Sequence, residues 1–342
     1  MKKRYYKLIF LLLLIIFIPL LSNAKSSGNS SLSVTSIPEI PRPNKNVSLS
    51  IESFSFNLNK AYISWSVDGV QKLVGIGKTS FSFKTGNVGV SSVIRISVSV
   101  GGGFDIITKN IHINPAEIDL LTDAINSYTP PFYKGKALAS SNAIVKIVAV
   151  PNMVENGVRL PSKNIVYSWS WNGNKRDIID QSGYGKNTIF IKKDMLRSNE
   201  RIEVVASSIS GSTRARSIIY LFRHKPKIIF YEKKALRGTL YEKALSNKIS
   251  IGSGELTVVA EPYFFSTNNL FDSVNIDWKM NGKSIKNSEK ESNTITFTTN
   301  KKTKGTSTIS VYIKHISKIL QSASNSMAIL LNNTSNNASF GL

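Results

Sequence analysis

An all-β chain of three antiparallel β-sandwiches in tandem is what the sequence predicts, and three observations predict it. A Trp-centred phrase ending in Asp-Gly or Asn-Gly occurs three times. Its copies lie about one hundred residues apart, a period that suits one domain per copy rather than one solenoid turn. Between them run short alternating segments rich in β-branched residues, the composition of half-buried strands. A length of 342 residues leaves room for this.

The phrase reads Ile63-Ser64-Trp65-Ser66-Val67-Asp68-Gly69, then Tyr167-Ser168-Trp169-Ser170-Trp171-Asn172-Gly173, then Ile276-Asp277-Trp278-Lys279-Met280-Asn281-Gly282. Alternation predicts a strand that sends Trp65, Trp169 and Trp278 into the core. Asp68-Gly69, Asn172-Gly173 and Asn281-Gly282 supply the positive φ values that a type I′ hairpin turn requires.

Further strands repeat around each phrase. Ahead of it lie 47–51, 144–150 and 256–260. Behind it come 81–85, 188–192 and 294–298, then 93–100, 202–208 and 308–313, and last 106–113, 217–222 and 326–331. About seven short strands per hundred residues indicate a sandwich. The segments after Pro115 and Pro226 repeat as well and read as ordered lead-ins. Asn114-Pro115-Ala116-Glu117 has the order of a helix cap, which allows a short helix over 116–126. The second lead-in, from Lys227 to Tyr231, reads as strand, and the repeat favours the extended form for both.

The N-terminus carries an export signal. Lys2, Lys3, Arg4 and Lys7 precede an apolar run from Leu8 to Leu21, followed by Ser22-Asn23-Ala24. That order is a secretory signal peptide cut between Ala24 and Lys25. The run is shorter than the roughly 20 residues of a spanning helix. An uncleaved anchor helix, with Tyr5 and Tyr6 at the interface, is the other reading. The predicted organisation is therefore a signal or anchor over 1–24 and a Ser/Asn/Pro-rich stalk over 25–46. Sandwiches follow over 47–115, 116–225 and 226–331, with a polar tail over 332–342.

The Trp phrases and strand order resemble tandem bacterial immunoglobulin-like and polycystic-kidney-disease-like modules of exported envelope proteins, over residues 47–331. Trp65 to Gly69 is closest to the Trp-x-x-Asp-Gly turn of the latter. Val67 and Met280 stand where those modules carry another Gly, and the immunoglobulin Cys pair is absent. The resemblance implies an Ig-like sandwich and an envelope setting, and names no ligand.

No catalytic, cofactor-binding or metal-binding set is assigned. With no Cys and three His, thiol chemistry, thiolate metal sites and disulfides are excluded. His112, His224 and His315 fall in or beside late strands of different repeats. Gly75-Ile76-Gly77-Lys78-Thr79 lacks the upstream Gly of a phosphate loop, since Lys72 stands there. Gly183-Tyr184-Gly185-Lys186 repeats it as a turn. Gly101-Gly102-Gly103 precedes a strand, not the helix of a phosphate cradle. The carboxylate pairs Glu289/Glu291 and Asp177/Asp180 have Lys neighbours and read as solvated surface. Tyr128, Phe132 and Tyr133, beside Pro130 and Pro131, form either a binding platform or packing at a joint, with packing favoured.

The formal net charge is +23. A basic surface attracts polyanions such as wall polymers, acidic glycans and lipid head groups, although Lys also guards sandwich edges against pairing. These features predict a non-enzymatic, exported bacterial envelope protein, a structural or adhesive rod. Its partners are envelope proteins or surface polymers, and the membrane if the N-terminal segment stays uncut, but not nucleic acid. The alternative is an accessory subunit of an envelope secretion or pilus-type assembly.

Overall fold

A computed structural model describes residues 32–100, 105–252, 254–286, 291–299 and 304–331. The signal segment with its Ala24/Lys25 cleavage position, Gly101 to Gly103, Glu289 and the tail lie outside these residues.

The regular structure of the described chain is almost all strand. Strands β1 (Leu32–Ile37), β2 (Asn46–Ser53), β3 (Tyr62–Val67), β4 (Val70–Ile76), β5 (Ser80–Lys84), β6 (Ser92–Val100) and β7 (Asp105–Ile113) build the first sandwich. One sheet has the order β1-β2-β5 and the other β4-β3-β6-β7. Period-two alternation puts Val47, Leu49 and Ile51 of one sheet against Ile63, Trp65, Ile94, Ile96 and Val98 of the other.

The second sandwich repeats the plan. It contains β8 (Glu117–Ala124), β9 (Ile144–Asn152), a small hairpin of β10 (Val154–Glu155) and β11 (Val158–Arg159), and β12 (Val166–Trp171). After these come β13 (Gly183–Tyr184), β14 (Thr188–Lys192), β15 (Asn199–Ser207) and β16 (Arg214–Phe222). Its sheets are β14-β9-β8 and β13-β12-β15-β16.

The third is larger. It comprises β17 (Lys227–Lys234), β18 (Gly238–Ala244), β19 (Lys248–Ile251), β20 (Gly254–Tyr263) and β21 (Val274–Met280). The remaining strands are β22 (Lys283–Ile285), β23 (Thr294–Thr299), β24 (Gly305–His315) and β25 (Ser322–Leu331). The sheets are β18-β17-β20-β23 and β19-β25-β24-β21-β22, and β19 joins β25 in parallel. Each sandwich has its own core cluster.

One expectation is corrected. Residues 32–46 are not part of a stalk, and the first sandwich does not begin at 47. Leu32–Ile37 is its first strand, paired with β2 from Leu32↔Ser53 to Ile37↔Ser48, and Leu32 is buried in the core. The Ser-rich composition concealed the period-two order of Leu32, Val34 and Ser36, and the prolines follow the strand instead of occupying it. Of the two readings of 116–126, the extended one favoured by the repeat holds, and the short helix does not form. Glu117–Ala124 pairs with β9 as the first strand of the second sandwich. Ala116 and Ile118 are buried there, which alternation along a strand allows. Strand β17 is the equivalent element of the third sandwich.

The Trp phrase occupies the same place in each unit. Trp65, Trp169 and Trp278 are at most 2% exposed. Each indole Nε1–H donates to a backbone carbonyl of the segment crossing to the opposite sheet. The acceptors are Lys78 at 2.8 Å, Lys186 at 2.9 Å and Ser292 at 3.0 Å. The turns have φ of 51° and 81° at Asp68-Gly69, 51° and 83° at Asn172-Gly173, and 48° and 79° at Asn281-Gly282.

The Asx side chain has a second role. Its Oδ1 accepts the backbone N–H of Val93 at 2.7 Å, Arg201 at 2.9 Å and Thr308 at 2.8 Å in the three units. The Asx N–H in turn donates to the carbonyl of that same residue. The turn is thereby stitched to the third strand after it, β6, β15 or β24.

The Gly-x-Gly-Lys segments shape the crossing. Gly77, at φ +66°, donates its N–H to Ala61 O, and a Cβ there would stand 3.1 Å from Asn59 O. Gly185, at φ +71°, donates to Ile165 O in the same manner.

Trp278→Ala removes both the ring and its anchor, and should cost roughly 3–5 kcal/mol of stability in denaturant unfolding. A change within about 0.5 kcal/mol would contradict a core role.

Candidate binding cleft at the joint of the second and third sandwiches

The two joints differ in chemistry. Between the first and second sandwiches the side-chain hydrogen bonds and the ion pair are exposed, while Gly89 lies close against Val154. Asn114 Nδ2 donates to Ser212 O at 3.0 Å, Arg42 Nη2 to Arg216 O at 3.3 Å, and Arg214 pairs with Glu39 at 3.2 Å. Exposed pairs of this kind are worth little.

Between the second and third the seam is buried. Ser127 bridges Ser266, Tyr128 N–H donates to Phe265 O at 2.8 Å, and Phe264 N–H donates to Tyr128 O at 2.7 Å. The connection therefore lies on the third sandwich as a short added strand. Fully buried Gln321 and Ser266 extend the seam. Gln321 Oε1 accepts Ser266 N–H at 2.7 Å and its Nε2 donates to Ser141 O, while Ser266 Oγ donates to Asn142 O at 3.0 Å. Lys318 Nζ adds a bond to Ser266 Oγ at 3.1 Å. Buried polar groups satisfied on both sides of a joint hold one geometry, because losing a partner strands the other in an apolar surround.

Aromatic rings cover this seam. Tyr133 meets Tyr263 edge-on at 5.6 Å and Phe264 at 6.0 Å. Tyr231 OH and Tyr263 OH share a hydrogen bond of 2.7 Å, and Lys227 Nζ lies 5.3 Å from the Tyr263 ring centre. Phe132 stands apart. It is 86% exposed, holds φ at +64°, and approaches Tyr241 with ring centres 6.3 Å apart. Positive φ is rare and costly for a bulky residue. Tyr133 thus serves the joint, whereas Phe132 is presented to solvent.

A cleft of about 570 Å³ opens beside the seam, on the face of β18-β17-β20-β23 that points away from the core. Tyr128, Tyr241, Phe271 and Pro131 form its apolar lining, and Glu261, Glu291, Lys233 and Asn293 its polar lining. Alternation along β20 explains the position of Glu261: Val258 and Ala260 enter the core, so Val259 and Glu261 face outward.

Glu261 is only 3% exposed. It accepts Tyr128 OH at 2.9 Å and Tyr241 OH at 3.2 Å. Burial pushes its carboxyl above the usual range, against the pull of the two tyrosine donors, and nearby Glu291 adds to the rise. Burial and Glu261 also push the Tyr241 phenol up to about 12 and raise that of Tyr128, so both remain donors. Glu291 sits at the mouth with Lys233 Nζ at 2.7 Å.

The three histidines do not converge. His315 is buried near Ser266, and burial together with Lys318 lowers its pKa. His112 and His224 line separate hollows. No group of His, Asp and Glu suited to a metal occurs among the described residues. Asp177 and Asp180 are exposed. No helix among the described residues is long and apolar enough to cross a membrane.

Sequence reasoning singled out Tyr128 and the joint, and missed Glu261, Tyr241 and Gln321. A Glu at the end of the apolar run Val258-Val259-Ala260, just before Pro262, was the available signal. A buried ion pair was also missed: Lys193 Nζ lies 2.5 Å from Glu200, both side chains fully buried. Its two residues are separated by an irregular segment that hides the pairing.

No known family and no curated protein matches the sequence. Solved structures of tandem sandwich arrays do. The three N-terminal domains of the bacteriophage RB49 outer capsid protein Hoc match with a TM-score of 0.25 at 9% identity, over 89% of this chain and 99% of theirs. The fibronectin(III)-like modules of Clostridium thermocellum CbhA match with a TM-score of 0.26 at 12% identity, over 56% of this chain and 94% of theirs. The central fibronectin-III array of RIM-binding protein gives a TM-score of 0.30 at 14% identity, over 89% and 97%. The topology of the chain itself is that of three tandem antiparallel Ig-like β-sandwiches.

Because Glu261 holds its proton more tightly folded than unfolded, its contribution to stability is present below the ordinary Glu range. It is lost as pH rises through the raised folded pKa. Glu261→Gln, which keeps an acceptor and removes the charge, should therefore gain stability relative to wild type as pH rises from 4 to 8 in denaturant titrations. A variant that loses ground over that interval would show that the folded chain favours the charged carboxylate.

Proposed function

We propose that this chain is an exported bacterial cell-envelope protein, a structural or adhesive array whose basic surface contacts polyanionic polymers. The observation that carries the structural part is the buried polar seam of Ser266, Gln321 and Ser141, which couples the second and third sandwiches. A module that holds domains apart or bears load needs such a joint, since lightly packed domains move relative to one another by default. Export rests on the cationic start, apolar run and Ser22-Asn23-Ala24 of the N-terminus.

Polyanion contact rests on the net charge of +23 and its spread. Lys72 and Lys109 are exposed on the first sandwich, Lys163 and Lys192 on the second, and Lys279 and Lys314 on the third. A charge distributed in this manner acts as a long-range attraction rather than as a pocket.

Cell fractionation with N-terminal sequencing tests the first part. The protein should appear outside the cytoplasm, starting at Lys25 if released, or in the membrane fraction with its N-terminus intact. Recovery from the cytosol would overturn export. An anionic polymer resin tests the second. The protein should be retained at low salt and elute in the sub-molar range, where the Debye length falls to about 3–10 Å. Passage through the resin at low salt would remove the polyanion role, and crosslinking only to a fixed set of neighbours would favour an assembly subunit.

A further inference from the structure

The cleft on the third sandwich has the opposite electrostatic character to the rest of the chain. Its innermost charged group, Glu261, is 3% exposed and has no ion-pair partner among the described residues. Its hydrogen bonds come from two neutral phenols. At the mouth, Glu291 takes the charge of Lys233. Among the described residues that line it, carboxylates thus outnumber cations, within a protein of net charge +23.

Its walls reinforce that sign. Tyr128, Tyr241 and Phe271 line the space, and aromatic faces carry a negative quadrupole that attracts cations. A buried carboxylate without a counter-charge is costly, which agrees with the upward push on its proton affinity. Both features favour one kind of occupant: a cation that sheds water easily and carries apolar surface. A strongly hydrated metal ion would find rings where it needs oxygen ligands, and an anion would meet Glu261. At about 570 Å³ the space lies within the range of small-molecule sites.

We propose that this cleft binds an organic ammonium or guanidinium group, its charge against Glu261 and its carbon atoms against Tyr128, Tyr241 and Phe271. The group is supplied either by a free amine or by a Lys or Arg side chain of another protein. This site is independent of the polyanion surface, because its charge preference is the reverse.

The test is calorimetric titration of the full chain with butylammonium, butylguanidinium and Nα-acetyl-lysine amide, with butanol as the uncharged control. Saturable binding of the cations and much weaker binding of butanol is expected. Binding of butylammonium without the lysine amide would point to a free amine, and binding of both to a side chain as an admissible source. Glu261→Gln should weaken cation binding at least about tenfold, ~1.4 kcal/mol, while the variant unfolds no more easily than wild type at neutral pH. Phe271→Ala, at a position 46% exposed and so tolerant of change, should weaken it about threefold. Butanol binding as well as the cations, undiminished affinity in Glu261→Gln, or no saturable binding into the tens of millimolar would each overturn the proposal.

Discussion

The hydrogen bond from a buried indole to the carbonyl of the crossing segment is the interaction on which each sandwich depends. A β-sandwich must join two sheets that share no ladder hydrogen bonds, and packing across about 10 Å is all that holds them. Here Trp65, Trp169 and Trp278 span that gap. The ring fills the core, and Nε1–H takes hold of the segment carrying the chain from one sheet to the other. Burial of the ring makes an acceptor for its Nε1–H necessary. The bond therefore satisfies the indole and fixes where the crossing segment lies. The Asx-Gly turn at the end of the same strand sets the second boundary, by hooking its side chain to the start of the β6, β15 or β24 neighbour.

From this shared frame the sandwiches diverge where they meet. The first and second touch through exposed groups such as Arg214 and Glu39. The second and third are joined by groups that lose water on both sides, with Gln321 serving Ser266 and Ser141 together. The same connection delivers Tyr128 to Glu261. The cleft is thus a product of the joint: part of its wall comes from the connecting segment and the rest from strands of the third sandwich. Whatever moved the connection would also move that wall.

The repeated framework was legible because it is written locally. Trp followed by Asx-Gly needs only strand periodicity and turn stereochemistry to be read, and most strand positions follow from alternation. The stalk reading over 25–46 failed because Ser and Pro density outweighed the alternation of Leu32 and Val34, which only gains meaning once β2 is seen beside it. The Asn114-Pro115-Ala116-Glu117 segment likewise fits a helix start by itself, and pairing with β9 overrides that local preference. The cleft was not legible. Tyr128, Tyr241 and Glu261 are far apart in sequence and meet only through sheet register and the joint. A Glu in a strand gives no hint of its partners. Lys193 and Glu200 are hidden for the same reason, since both look like ordinary surface residues until the fold buries them.

The claim that three indole clamps organise the three sandwiches is tested most directly by hydrogen exchange of ¹⁵N-labelled tryptophan indoles in the intact protein. The account predicts that the Trp65, Trp169 and Trp278 Nε1–H signals exchange as slowly as core-strand amides, at rates set by opening of their own sandwich. Exchange of any of these three at the rate of an open indole, while the neighbouring strand amides stay protected, would contradict it.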